Sequence, residues 1–142
     1  MAGRRSKSRW LGGLLIFGFA VAQVACTRDN SGKPSLSMFK REMKPFSDVH
    51  QGSLEFVDRY DLLILFLKPN SGYVSASSFD MEAKSAGWKF EGSRGNDFWS
   101  IKKYSKGRMC LSLESREGEP SEITISWSSN AASWSYCKQK GT

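Results

Sequence analysis

Apolar residues recur along this chain with two different periods, and the places where the period changes outline an α+β fold. Leu36, Phe39 and Met43 fall on one face of a helix that Ser35 can cap and that Pro45 is expected to end. Val49, Leu54, Phe56, Val57 and Tyr60 fit neither period, so residues 54–60 read equally as a second helix or an edge strand. Residues 62–67 are six consecutive apolar side chains between Asp61 and the breaker run Lys68-Pro69-Asn70-Ser71-Gly72. A strand buried on both faces is expected there. The clearest helix follows. Ser77 or Ser78 caps it, Asp80 and Glu82 suit its N-terminal half, Phe79, Ala83 and Ala86 line one face, and Gly87 stands at the left-handed stop position before Trp88.

Beyond Gly92-Ser93-Arg94-Gly95, read as a turn, the period is two. Residues 97–104, 108–114 and 122–127 are rich in β-formers and are separated by glycine-containing turns. Met109, Leu111 and Leu113 alternate with Cys110, Ser112 and Glu114, and Ile123, Ile125 and Trp127 alternate with Thr124 and Ser126. One apolar and one polar face imply an antiparallel-dominated sheet covered on one side, with a C-terminal three-strand meander and one or two helices packed on that side.

The first residues obey neither period. Arg4, Arg5, Lys7 and Arg9 precede an uncharged stretch, residues 11–25, that ends in small side chains, as an export signal does. At a rise of ~1.5 Å per residue this stretch reaches about 22 Å, short of the ~30 Å of a hydrocarbon core. Gly12, Gly13, Gly18 and Gln23 weaken it further as a span. Ala20-Val21-Ala22 is one cleavage pattern and would release a soluble product starting at Gln23.

Val24-Ala25-Cys26 is the other, and it resembles the end of a bacterial lipoprotein signal. It departs from that pattern at Gln23, where an aliphatic residue is usual, and the resemblance extends no further than the leader. It implies that Cys26 carries lipid and becomes the mature N-terminus, so that acyl chains hold the protein to a membrane of the cell envelope. Thr27, where an aspartate would mark inner-membrane retention, implies the periplasmic face of the outer membrane if the source is a diderm. The chain then divides into an export signal (1–25), a lipidated cysteine with a polar tether (26–34) and a single small domain (35–142). Exported cysteines pair in an oxidising compartment. With Cys26 given to lipid, Cys110 and Cys137 are left for each other. Because Cys110 sits among polar positions, that bond is expected to draw the tail around residues 133–136 across the outer side of the sheet.

Charge changes the picture little. Four of the 21 cations and none of the 14 acids lie in the leader, so the formal +7 falls to +3 on export. A nucleic-acid partner is therefore not expected. His50 is the only histidine, and Asp48 two positions away would not face it on a helix. No G-x-S-x-G elbow, metal-ligand spacing or phosphate loop occurs, so no cofactor or metal is expected. Glu114, Glu117 and Glu119 read as a solvated loop.

Aromatic residues are in surplus. Most should be core, with Trp134 and Tyr104 expected at a surface and Lys102, Lys103, Lys106 and Arg108 forming a basic rim beside them. The resulting expectation is a non-catalytic envelope binding module, its partner peptidoglycan, an anionic envelope glycan or an envelope protein. Two other classes remain open: an exported inhibitor or immunity-type protein inserting the acidic loop 116–121 into an enzyme, and a small envelope enzyme using His50 beside a carboxylate.

Overall fold

A computed structural model describes residues 32–130 and Cys137. The elements run α1 (Leu36–His50), β1 (Gly52–Arg59), β2 (Leu62–Pro69), α2 (Ala76–Ser85), β3 (Lys89–Gly95), β4 (Trp99–Lys106), β5 (Met109–Arg116) and β6 (Glu122–Ser128). The strands form one antiparallel sheet in the order β1-β2-β6-β5-β4-β3, and both helices lie on one side of it. After the β1–β2 hairpin, α2 carries the chain to the far edge. The β3–β6 meander then returns until β6 pairs with β2, Leu65 opposite Ile125. The expected α+β class and the C-terminal meander are both present, the latter with one strand more than expected.

Ser35 caps α1, its Oγ accepting from the Met38 N–H at 3.2 Å. Pro45 does not end the helix. Its ring removes one backbone donor, yet Phe39, Met43 and Phe46 continue a single buried stripe on both sides of it. Residues 54–59 resolve as part of the edge strand β1, and Tyr60 opens the turn after it. Gly52 begins it at φ +159°, where a Cβ would overlap the carbonyl oxygen of Lys68. Only glycine permits so close an approach of β1 to β2.

Strand β2 is not buried on both faces. Leu63, Leu65 and Leu67 are fully buried beneath the helices, whereas Leu62, Ile64 and Phe66 are half-buried on the outer face. The cap of α2 is Ser75, not Ser77 or Ser78, and Ser78 Oγ donates to the Ser75 carbonyl. At the other end Trp88 N–H donates to Ala83 O (2.9 Å) and Gly87 N–H to Lys84 O (3.0 Å), with Gly87 at φ +82°. This is the expected glycine stop, and it tucks Trp88 into the core at 2 % exposure.

Residues 92–95 are strand, not turn. They pair with β4 after a bulge between Phe90 and Gly92. The core is one layer. Phe46, Phe79, Tyr104 and Phe90 form a chain of rings from α1 through α2 to β4 and β3, with successive centroids 5.2, 5.6 and 5.4 Å apart.

Candidate functional site

The surface expected from sequence does not assemble. Strand β4 alternates, so Lys102, Tyr104 and Lys106 point to the helices while Lys103 and Ser105 point outward. Tyr104 is not at a surface but wholly buried, its hydroxyl donating to Asp80 Oδ1 at 3.0 Å. Lys102 Nζ donates to the Ala76 carbonyl at 3.3 Å. Lys106 Nζ reaches the Ala86 carbonyl at 2.9 Å and Glu42 Oε2 at 2.7 Å, tying α1 and the end of α2 to the sheet. Lys103 is buried on the other face, and Arg108 alone is exposed, in the β4–β5 turn. The basic rim is thus taken apart by the pleat: Lys102 and Lys106 secure helices, and Lys103 is buried on the opposite face. Trp134, Cys26 and the leader lie outside the described residues.

The disulfide is formed. Cys110 and Cys137 are joined, with Cα atoms 5.8 Å apart. Cys110 stands opposite Ser105 and Ser126 on the outer face. Cys137 is buried there, its Sγ 3.4 Å from the Tyr104 carbonyl oxygen.

Burial and the Asp80 carboxylate both push the Tyr104 phenol well above the ordinary tyrosine value near 10. The folded state therefore holds this proton more tightly than the unfolded chain. The linked stability is fully present below about pH 10 and is lost as pH climbs towards the folded value. Tyr104→Phe should cost about 1 kcal/mol at neutral pH through the lost hydrogen bond. It should also flatten the alkaline fall in the denaturation midpoint above about pH 10. Parallel alkaline slopes for the two proteins would contradict this.

His50 does meet a carboxylate. Its Nε2 lies 2.7 Å from Glu82 Oε2, joining the end of α1 to α2. None of the clefts described below includes it. Among the described residues, no three His, Cys, Asp or Glu side chains gather as a metal site.

Concave surface lies elsewhere, at the end of the sheet formed by the loops after β2, β3 and β5. A cleft of about 580 Å³ there is lined by Tyr73, Phe98, Trp99, Arg116 and Glu117 among others. A second, of about 490 Å³, lies across the Phe98–Arg116 saddle and includes Ile101 and Glu114. Three rings are open to solvent here: Tyr73 at 69 %, Phe98 at 68 % and Trp99 at 39 % exposure.

Local hydrogen bonds hold these rings out. Asn96 Oδ1 accepts from the N–H groups of Phe98 (2.9 Å) and Trp99 (3.2 Å), an Asx turn that leaves Phe98 at the tip. Glu117 N–H donates to the Phe98 carbonyl at 2.8 Å, joining the two hairpins. Ser121, buried in the wall, donates its N–H to Gly72 O and accepts from Val74 N–H at 3.1 Å. The three loops are therefore one preorganised unit. At the base of the β3–β4 turn, a Cβ on Gly95 (φ +153°) would overlap the Trp99 carbonyl oxygen, so the turn closes only on glycine.

The charge here is acidic. Asp97, Glu114, Glu117, Glu119 and Glu122 line the clefts with Arg116. That guanidinium donates to Glu114 Oε1 at 2.7 and 2.9 Å, and the pairing raises its pKa. Loop 116–121, which the inhibitor reading would insert into an enzyme, is exposed from Arg116 to Pro120 and forms one wall of the cleft. The rings of Tyr73, Phe98 and Trp99 were not singled out by the alternation pattern. The available signal was their place beside turn residues, Ser71-Gly72 and Gly95-Asn96-Asp97, where side chains have no layer to enter.

Lys33 fixes the opposite end of the sheet. Its Nζ pairs with Asp58 Oδ1 just before the β1–β2 turn, where the described chain enters the domain. At ~3.3 Å per residue, the eight-residue strands place the cleft rings roughly 25 Å from that point. Comparison with known proteins adds nothing to this geometry: no family model, characterised protein or solved structure matches the chain.

Proposed function

We propose that this chain is an exported, lipid-anchored, non-catalytic binding module of a bacterial cell envelope, and that its site is the ring-lined cleft at the far end of the sheet. The observation that carries the reading is the exposure of Tyr73, Phe98 and Trp99 on loops pinned to one another by backbone hydrogen bonds. Exposed rings held rigid are the anchors that interfaces use, because they bury large area while losing little rotamer freedom. Five carboxylates around one already paired guanidinium turn the partner's charge away from an anionic glycan. They favour an envelope component presenting basic groups, such as a Lys- or Arg-bearing protein segment, whose cations can also lie over the rings.

Titration calorimetry with a short Arg/Trp-containing cationic peptide, a neutral chitooligosaccharide and a uronate oligosaccharide tests this reading. Binding of the cationic peptide alone is expected, weakening as salt rises. Trp99→Ala should lower its affinity at least about tenfold, or about 1.4 kcal/mol. Preference for the uronate would overturn the charge argument, and indifference to Trp99→Ala would overturn the site.

The anchor rests on the leader residues and Cys26. Among the described residues no helix is long and apolar enough to cross a membrane. Intact mass of membrane-extracted protein should give a chain that starts at Cys26 and carries acyl mass. A chain starting at Gln23 without acyl mass would make the product a soluble one.

A further inference from the structure

The sheet ends in two edges that are unlike each other. Edge β3 is interrupted by a bulge and carries Gly92 and Gly95, devices that keep an edge from pairing. Edge β1 has no bulge, and its one glycine, Gly52, stands at its first position. All eight of its residues pair in regular register with β2, and Leu54 and Phe56 are 44 % and 54 % exposed on its helix-side face. Tyr60 and Asp61 make a two-residue turn, so Arg59 and Leu62 face each other as its closing pair. The inward bonds of β1 therefore belong to odd-numbered residues, in agreement with Asn70 N–H donating to Gln51 O at 2.8 Å. The N–H and C=O groups of Gly52, Leu54, Phe56 and Asp58 point outward, away from β2.

We infer that β1 is a self-association edge at which two copies of this chain join their sheets, β1 antiparallel to β1. The argument is charge complementarity within the strand itself. A two-fold axis normal to the sheet sets residues of equal parity opposite one another. Centred on Glu55, it would oppose two carboxylates. Centred on Phe56, it would set Leu54 against Asp58, Val57 against Glu55 (whose only opposite charge then is Lys68 of its own β2, at 3.0 Å) and Ser53 against Arg59. Centred on Val57, it sets Glu55 of each copy against Arg59 of the other, twice, on the outer face.

That register also uses the outward groups of Phe56 and Asp58 for hydrogen bonds. It brings the two Phe56 rings, each 54 % exposed and with Lys40 Nζ 5.9 Å from its centroid, into diagonal contact on the helix side. The axis keeps both helix layers on one side of the joined sheet. Both entry points at Lys33, paired with Asp58 on that side, then face the same way, as two anchors in one membrane require. The clefts lie at the opposite end of each strand set and stay open, so this inference stands whether or not the proposed ligand is correct.

Cysteine cross-linking of the full chain in its own membrane tests the register. Val57→Cys places two thiols at the axis, in a non-hydrogen-bonded pair with Cα atoms ~4.5 Å apart, and should give a covalent dimer on a non-reducing gel. Ser53→Cys, on the same face but far from its counterpart, should give no more dimer than the unsubstituted chain, which controls for Cys26. Adding Glu55→Arg or Arg59→Glu to Val57→Cys creates two like-charge pairs and should lower the covalent fraction roughly fivefold, while both together should restore it. Restoration also shows that the single variants fold. Equal cross-linking at positions 53 and 57, or a covalent fraction blind to the charge exchange, would overturn the inference.

Discussion

Phe79→Ala is expected to lower the unfolding free energy by about 3–5 kcal/mol, the range for removing a large buried aromatic. Phe79 is fully buried, and its ring is the only one in the core chain that touches rings of two other elements from a helix, Phe46 of α1 at 5.2 Å and Tyr104 of β4 at 5.6 Å. This side chain therefore bridges α1, α2 and the sheet. Its loss leaves a cavity between three elements, none of which can close it without moving the other two. Part of the cost is transfer of the ring, and part is the edge-to-face contact with Tyr104, about 0.5–1.5 kcal/mol. Urea titration followed by tryptophan fluorescence measures the change. Phe98→Ala is the internal control: the same chemistry at 68 % exposure should shift stability by less than about 0.5 kcal/mol. Similar losses in the two variants would mean that the ring chain does not organise the core.

The position of Phe79 was legible in the sequence, and the reason is local. Around it the helical period, the alanines and the Gly87 stop all agree, so α2 could be read without knowledge of its neighbours. The same holds for β5 and β6, whose strict alternation already assigned Cys110 to the outer face. What escaped was decided by tertiary context. Pro45 is a strong stop signal, but burial of Phe39, Met43 and Phe46 on one stripe outweighs one missing hydrogen bond. Gly92 and Gly95 look like a turn because glycine has no side chain to contribute to a period. They are strand because β4 supplies the pairing. No local pattern announces that β6 will return to β2, since that pairing joins residues some sixty positions apart.

The site shows the same division more sharply. A run such as Lys102-Lys103-Tyr104 reads as a basic, aromatic surface only if the strand's phase is ignored. Once Leu111 opposite Tyr104 is known to face the helices, Tyr104 must as well, and Lys103 must not. The lysine stems on the covered side then run along the sheet and end on carbonyls at the two ends of α2, Lys102 on Ala76 in its first turn and Lys106 on Ala86 at its C-cap, where helix carbonyls lack intrahelical donors. The cleft could not be read in this way at all. It exists because three loops, distant in sequence, meet at one end of the sheet and are fastened by Ser121 and Asn96.

Breaking the Cys110–Cys137 bond is expected to cost about 3–4 kcal/mol at most, by loop closure across a separation of 27 residues. The bond matters because of where it acts. Both helices cover one face, so on the other face Leu62, Ile64 and Phe66 of β2 remain only half-buried, and it is on that face that Cys137 is tied down. Cys137 is buried against the backbone of Tyr104, with Cys110 one strand away at the middle of the sheet. The bond thus fixes Cys137 to β5, a strand paired on both sides. Since the effect arises mainly in the unfolded ensemble, Cys110→Ala, Cys137→Ala and the double variant should lose the same amount, and reduction of the parent protein should match them. A typical domain has only about 5–15 kcal/mol in total, so the reduced protein should be visibly less stable at growth temperature. If the midpoint of denaturation were the same with and without reductant, the outer face would have to be held by packing alone, and the staple would be a passenger.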